Sequence, residues 1–243
     1  EDRWKGPLCE EILPAIATAL RPDVPYAANS PCGGVLPFSP NDGIAHYYGV
    51  GAYLRPLEDA RRADVRFAGE CLAFSNIPVQ QSLEEGLPVK PGHDPRWKAR
   101  VPRDRGAGWD FEDVRDHYLK LLYDVDPAAL RYGDPDRYLD LGRAVTGEVM
   151  SETFSEWRRP GSNCQGALVW TLSDLSMVAG WGLVDAAGRP KPAWYALRRA
   201  FRPVTACVTD EGTNGLAIHV LNERAEEKQV RINIACLRDG QLP

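Results

Sequence analysis

The stretch VRFAGECLAF, residues 65–74, decides the fold, because a carboxylate interrupts an otherwise apolar run. Residues 65–68 are typical of a buried strand, and the apolar run resumes directly after Glu70. Burying an unpaired carboxylate costs several kcal/mol. We therefore expect Glu70 either where its strand leaves the core or beside a structural partner such as Arg66.

Strand-like and helix-like segments alternate on both sides of this stretch. The pattern predicts helices over 8–20, 55–63, 111–123, 136–158 and 192–201, and strands over 21–31, 43–51, 65–70 and 165–172. This alternation is typical of a parallel sheet with helices outside it, either open or closed into a barrel. Parallel strands in such folds carry chemistry at their carboxyl ends, so Glu70 is expected at the rim of a site.

Two segments depart from the alternation. Residues 77–109 contain five prolines and four glycines without periodicity, which indicates a loop that is functional or disordered. Residues 216–222 and 229–235 alternate with period two around a polar turn, which predicts a hairpin. We therefore place a domain boundary near Pro203, giving domains 1–203 and 204–243.

The composition indicates an ordinary globular protein. The 243 residues are 44% hydrophobic and 26% charged, with a net charge of −5. The absence of a lysine and arginine run argues against a nucleic-acid partner. No stretch approaches about 20 consecutive apolar residues, so no membrane partner is expected. The chain lacks an initiator Met and stops after a strand-like run, so we expect part of a longer protein.

The cysteines and histidines predict neither a metal nor a cofactor. The six cysteines form no Cys-x-x-Cys pair, and the four histidines lack ligand spacing. We expect reduced thiols in a reducing compartment, which favours the cytoplasm. The sequence also lacks G-x-S-x-G, and GVG at 49–51 lacks the rest of a dinucleotide-binding pattern.

Three segments together resemble family 2 glycoside hydrolases, and most of all the β-mannosidase branch. They are PYAANSP…HYYGVGAYLRPLEDARRADVRFAGE (25–70), QGALVWTLSDLSMVAGWGLVDAAGRPKPAWYALRRAFRPV (165–204) and the hairpin tail. The resemblance implies an α/β fold, the second half of a (β/α)₈ TIM barrel, followed by the first strands of an immunoglobulin-like β-sandwich domain. It also implies that the N-terminal half of the same protein is the partner of this chain.

The resemblance implies a retaining mechanism in which Glu70, closing RF-x-x-E, is the catalytic nucleophile. Cys71-Leu72 stand where Phe-Gly commonly follows that glutamate. The acid/base glutamate of the family follows an asparagine at the end of the fourth strand. No Asn-Glu pair precedes Glu70, so we expect the acid/base residue upstream of residue 1 and an inactive isolated chain.

The same resemblance implies six substrate-binding residues. They are His46, Tyr48, Trp170, Asp174, Trp181 and Asn29. His46 and Tyr48 share one face of a strand because alternate residues do so. Core packing explains Tyr48 as well as sugar contact does. Core packing is also the alternative for Trp170, but its position at the end of a strand favours the site. Capping of a turn is the alternative for Asp174, as is turn formation before Pro31 for Asn29.

The leading functional hypothesis is hydrolysis of terminal β-linked sugars, with a β-mannoside as the first carbohydrate substrate. A second hypothesis keeps the reaction and changes the sugar, to that of a β-galactosidase, a β-glucuronidase or an exo-glucosaminidase. A third is a non-catalytic carbohydrate-binding relative.

Overall fold

The computed structural model describes residues 6–36, 38–90, 93–238 and 240–241. A π-helical turn, Leu8–Ile12, leads into the first α-helix. The α-helices are α1 (Leu13–Leu20), α2 (Asp59–Arg62), α3 (Gln80–Gly86), α4 (Pro95–Lys98), α5 (Phe111–Tyr123), α6 (Pro127–Gly133), α7 (Pro135–Arg158) and α8 (Pro192–Ala200). The strands are β1 (Ala45–Tyr47), β2 (Ala68–Cys71), β3 (Ala167–Val169), β4 (Val204–Asp210) and β5 (Leu216–Asn222). The fold is thus mixed α/β.

Strands β1, β2 and β3 form a parallel sheet in chain order. Helix α2 lies in the connection from β1 to β2, and α3 to α7 lie in the connection from β2 to β3. The register pairs His46 with Glu70 across β1 and β2, after an irregularity next to Ala45. The parallel strands predicted around Glu70 are therefore present, although each is shorter than its predicted range.

The core forms where β2 continues into residues 71–74, all of which are at most 2% exposed. These apolar side chains share a hydrophobic cluster with the buried faces of α5 and α7. Full burial of such a side chain stabilises the fold by about 1.5–3 kcal/mol. Helix α5 begins where the sequence predicts, because Asp110 and Asp113 form a reciprocal capping box.

The expectation of a loop over 77–109 is wrong in part. Helices α3 and α4 form within it, and Leu83, Leu87 and Trp97 are buried. Leu83 and Leu87 have the i, i+4 spacing of a helix, but the prolines and glycines around them obscure this short pattern in the sequence. The Trp97 indole N–H donates to Glu112 Oε1 at 2.9 Å.

A buried ionic cluster, here called the Glu112 cluster, joins α4, α5 and α6. The Glu112 side chain is fully buried, and its oxygens lie 3.0 Å from Lys98, 3.1 Å from Arg115 and 3.6 Å from Arg131. Burial alone would raise the pKa of Glu112. The surrounding cations and the Trp97 hydrogen bond outweigh burial and lower this pKa to about 2.

The predicted hairpin between residues 216–222 and 229–235 is wrong in its choice of partner. Strand β5 pairs antiparallel with β4, from Val204 opposite Asn222 to Asp210 opposite Leu216. The connection between the two strands is short, and it requires positive φ angles at residues 212 and 215. Both are glycines, with φ angles of +62° and +84°. Residues 229–235 contain no strand. A tight glycine-bearing turn on the N-terminal side brings β4 closer than the polar segment brings 229–235.

The expected strand over 21–31 is also absent, since this described segment consists of turns and bends. Its three prolines, at 22, 25 and 31, lack the N–H that a strand ladder requires. The preceding segment is helical as predicted, and Pro14 lies in the first turn of α1.

Leu72 provides a test of the backbone next to Glu70, because it is fully buried with φ at +56°. A non-glycine residue pays about 1–2 kcal/mol in this left-handed region. Loss of the buried side chain costs about 2–5 kcal/mol. We expect Leu72→Ala to be destabilised by that amount and Leu72→Gly to be about 1 kcal/mol more stable than Leu72→Ala. Urea unfolding of both variants checks this, and Leu72→Ala as the more stable variant would contradict the left-handed assignment.

Candidate active site

Glu70 stands at the carboxyl end of β2, with its side chain 29% exposed. The Tyr48 hydroxyl donates to Glu70 Oε2 at 2.7 Å. His46 Nδ1 lies 3.4 Å from the same oxygen. The structure therefore brings together the three residues that the sequence placed on these two neighbouring strands.

The Tyr48 hydroxyl is kept protonated by its surroundings. Burial raises the pKa of Tyr48 above its ordinary value, and the hydrogen bond to Glu70 and the charge of Glu70 raise it further. A protonated phenol beside a carboxylate donates to it. Tyr48 therefore fixes one oxygen of Glu70 with a charge-assisted hydrogen bond.

Ser30, rather than Asn29, reaches this group. Ser30 Oγ lies 2.9 Å from His46 Nε2 and so holds the far side of the imidazole ring. A Cβ on Gly69 would lie 2.2 Å from Ser30 Oγ, so the residue before Glu70 has to be glycine for this approach. Asn29 is exposed and is not among the residues that line the pocket described next.

A pocket of about 270 Å³ opens beside Glu70. Its aromatic walls are Tyr48, Tyr53, Trp109, Phe111, Trp170 and Trp181. The rings of Trp170 and Trp181 meet edge to face with centroids 6.1 Å apart, and those of Phe111 and Trp181 at 5.2 Å. Aromatic walls with a few polar groups are typical of small-molecule sites, and such rings pack against apolar sugar faces.

Asp174 is not among the residues that line this pocket, and it lies next to the glycines that flank Trp181. Its carboxylate, 8% exposed, forms an ion pair with the buried Lys191 and accepts the Gly182 N–H at 2.8 Å. Burial lowers the pKa of Lys191 below its ordinary value, while the charge of Asp174 opposes that shift. The carboxylate predicted to bind sugar is thus occupied by protein groups, as is typical of a structural residue.

Hydrogen bonds join residues 75–76, which follow β2, to the segment that carries Trp181. Ser75 Oγ donates to Ala179 O at 2.7 Å, and Asn76 Nδ2 donates to Trp181 O at 3.0 Å. Lys191 Nζ adds a bond to Asn76 O at 2.8 Å. Sequence reasoning missed Ser75, Asn76 and Lys191, although two polar residues directly after a buried run were a signal for them.

The described ranges contain no group of three or more His, Cys, Asp or Glu side chains placed to hold a metal ion. Over the same ranges, no helix has the length and apolarity needed to cross a bilayer.

The structure shares its fold with part of a glycosidase. It superposes on a β-D-mannosidase from Dictyoglomus thermophilum with a TM-score of 0.69 and 22% sequence identity, over 92% of this chain and 26% of the other. No protein-family model matches the chain.

The sequence is also similar to those of proteins named β-mannosidase. The chain is 28% identical over 210 residues to β-mannosidase B of Aspergillus niger, and 29% identical over 211 residues to that of Thermothelomyces thermophilus. These matches cover 83% and 82% of this chain and 24% of each relative. The resemblance to β-mannosidases is therefore confirmed, for a chain that spans about a quarter of the length of these relatives.

Proposed function

We propose that this chain is part of a retaining glycoside hydrolase that cleaves terminal β-linked sugars, with β-mannosides as the first substrate class. One observation carries the proposal: the Glu70 carboxylate, held by Tyr48 and His46, faces a pocket with aromatic walls. The similarity to proteins named β-mannosidase supports the choice of sugar.

Glu70 acts as the nucleophile in this proposal. Its free oxygen attacks the anomeric carbon as the bond to the leaving-group oxygen breaks, which forms a covalent glycosyl-enzyme. Tyr48 and His46 hold the carboxylate in its attacking orientation. A second carboxyl group, about 5–5.5 Å away, protonates the leaving group and then activates water. We assign that function to a glutamate upstream of residue 1, so the isolated chain is inactive.

The fold supports placing the chain in the second half of a (β/α)₈ barrel. Strands β1, β2 and β3 run parallel in chain order with helices between them, as successive barrel strands do. In this placement they are the sixth to eighth strands, and Glu70 lies at the catalytic face. Residues 1–203 then complete the barrel, and residues 204–243, with β4 and β5, begin the β-sandwich.

Covalent trapping tests the proposal on the protein that carries this chain. An aryl 2-deoxy-2-fluoro-β-D-mannoside with a good leaving group should transfer its fluorosugar to Glu70. The anomeric C–O bond breaks, an ester bond to the carboxylate forms, and the phenolate departs. The 2-fluorine slows the hydrolysis that follows, because it destabilises the oxocarbenium-like transition state.

Peptide mapping by mass spectrometry reads the result. We expect the added mass of the fluorosugar on the peptide containing Glu70 and not on that peptide of Glu70→Gln. A label on another carboxylate would overturn the assignment of the nucleophile. Complete absence of labelling and of aryl glycoside turnover would indicate a carbohydrate-binding protein instead. Aryl β-galactosides, β-glucuronides and β-glucosaminides assayed in parallel identify the sugar.

A further inference from the structure

We propose that Asp104 is a second carboxylate that contacts the sugar in the Glu70 pocket. Its negative charge makes the pocket accept neutral or cationic glycosides and reject uronides. The inference rests on the proposed function and deepens it by naming the charge class of the substrate. It also gives a function to the segment 77–109.

Asp104 belongs to the loop between α4 and α5, which is tied down near both ends. Val101 is buried at its start, and the Phe111 N–H donates to Pro102 O at 3.0 Å at its end. Within the loop, the Ala107 N–H donates to Asp104 O at 3.0 Å and closes a turn. This turn presents Asp104 at the pocket, where it lines the cavity together with Glu70 and Trp109.

The presence of Asp104 beside Glu70 makes the lining of the pocket acidic. Its lining residues carry two ionisable carboxylates, Glu70 and Asp104, and no cation among the described residues. The negative charge of Asp104 adds to that of Glu70 in raising the pKa of Tyr48. Arg103, the neighbour of Asp104, is directed at Asp110, with 3.4 Å between Nη2 and Oδ2.

A deprotonated carboxylate accepts hydrogen bonds and cannot donate them. The group that Asp104 faces must therefore be a donor, either a sugar hydroxyl or an ammonium. Asp104 is exposed and the Glu70 side chain is 29% exposed, so water screens part of their charge. The carboxylate of a uronic acid would still meet two like charges at this pocket, and Coulomb repulsion disfavours its binding. Among the sugars weighed from the sequence, mannosides, galactosides and glucosaminides fit this pocket and glucuronides do not.

Two ligands of similar shape and different charge provide the test on the protein that carries this chain. The first is 1-deoxymannojirimycin, a cation when protonated, and the second is the neutral D-mannono-1,5-lactone. Quenching of tryptophan fluorescence reports binding, because Trp109, Trp170 and Trp181 line the pocket. Because Asp104 is exposed, its ion pair with the ligand is partly screened. We expect Asp104→Asn to bind the cation about fivefold more weakly, and the lactone within about twofold of the unsubstituted protein.

Asp136→Asn is the matched control, since Asp136 is exposed near the start of α7 and outside the pocket lining. Unchanged binding of both ligands by Asp104→Asn would overturn the proposal. So would equal loss of both, equal loss of the cation by Asp136→Asn, or failure of the unsubstituted protein to bind either ligand. Trapping at Glu70 is an independent readout. Label on Glu70 with no effect of Asp104→Asn would leave the proposed function standing and this inference refuted.

Discussion

Replacing Glu70 with glutamine should lower turnover of an aryl β-mannoside by about 10⁴-fold or more in the protein that carries this chain. The amide oxygen of glutamine still accepts the Tyr48 hydrogen bond, so the pocket keeps its shape. A neutral amide cannot attack the anomeric carbon as an anion. The loss should therefore appear in kcat. The affinity for the cation 1-deoxymannojirimycin separately measures the loss of the negative charge at position 70.

Glu84→Gln makes the same chemical change at an exposed position on α3 and should leave turnover unchanged. Glu70→Ala with added azide distinguishes the two glycosidase carboxylates. Azide replacing the nucleophile attacks from the side opposite the leaving group and gives the α-glycosyl azide. Formation of the β-azide would show that Glu70 is the acid/base residue. Near-normal turnover by Glu70→Gln would remove it from the chemistry altogether.

Glu112→Gln should cause the largest loss of stability, about 3–5 kcal/mol in the free energy of unfolding at pH 7. The substitution leaves the fully buried Arg115 to share Asp116, its remaining carboxylate partner, with Arg131. Urea unfolding at pH 7 measures the loss. Glu84→Gln is again the matched control and should stay within about 0.5 kcal/mol of the unsubstituted protein.

The pH dependence gives a second readout of Glu112. Its pKa is about 2 in the folded protein and 4.5 as an ordinary glutamate. The lowered pKa stabilises the fold above pH 4.5 by about 3 kcal/mol, and this contribution is lost as the pH falls from 4.5 to 2. We expect Glu112→Gln to flatten the decline of stability over that range. An unchanged decline would contradict the charge assigned to the Glu112 cluster.

Features set by local interactions were predictable from the sequence. The long helix expected over 136–158 is observed as Pro135–Arg158, because a proline in its first turn and the Asp134 cap define its start. The grouping of His46 and Tyr48 with Glu70 followed from strand alternation and from the parallel arrangement of neighbouring strands.

Features set by the choice of a distant partner were not predictable. For β5 the sequence suggested only 229–235 as a partner, and the tighter turn and the packing of β4 against α7 favour β4 instead. Asp174 fitted a sugar contact equally well until its pairing with Lys191, 17 positions away, was visible. Asp104 carries no motif, and its position depends on how a whole segment folds over the pocket.

The way Trp181 is held has a consequence for substitutions at this position. Ser75, Asn76 and Lys191 contact the main-chain oxygens of residues 179–181, and none of these bonds uses the indole ring. On either side, Gly180 and Gly182 leave no room for a side chain, since a Cβ there would come within 2.5 Å of Asp174. Position 181 is therefore held through its main chain, so we expect the backbone there to keep its course when the side chain is replaced.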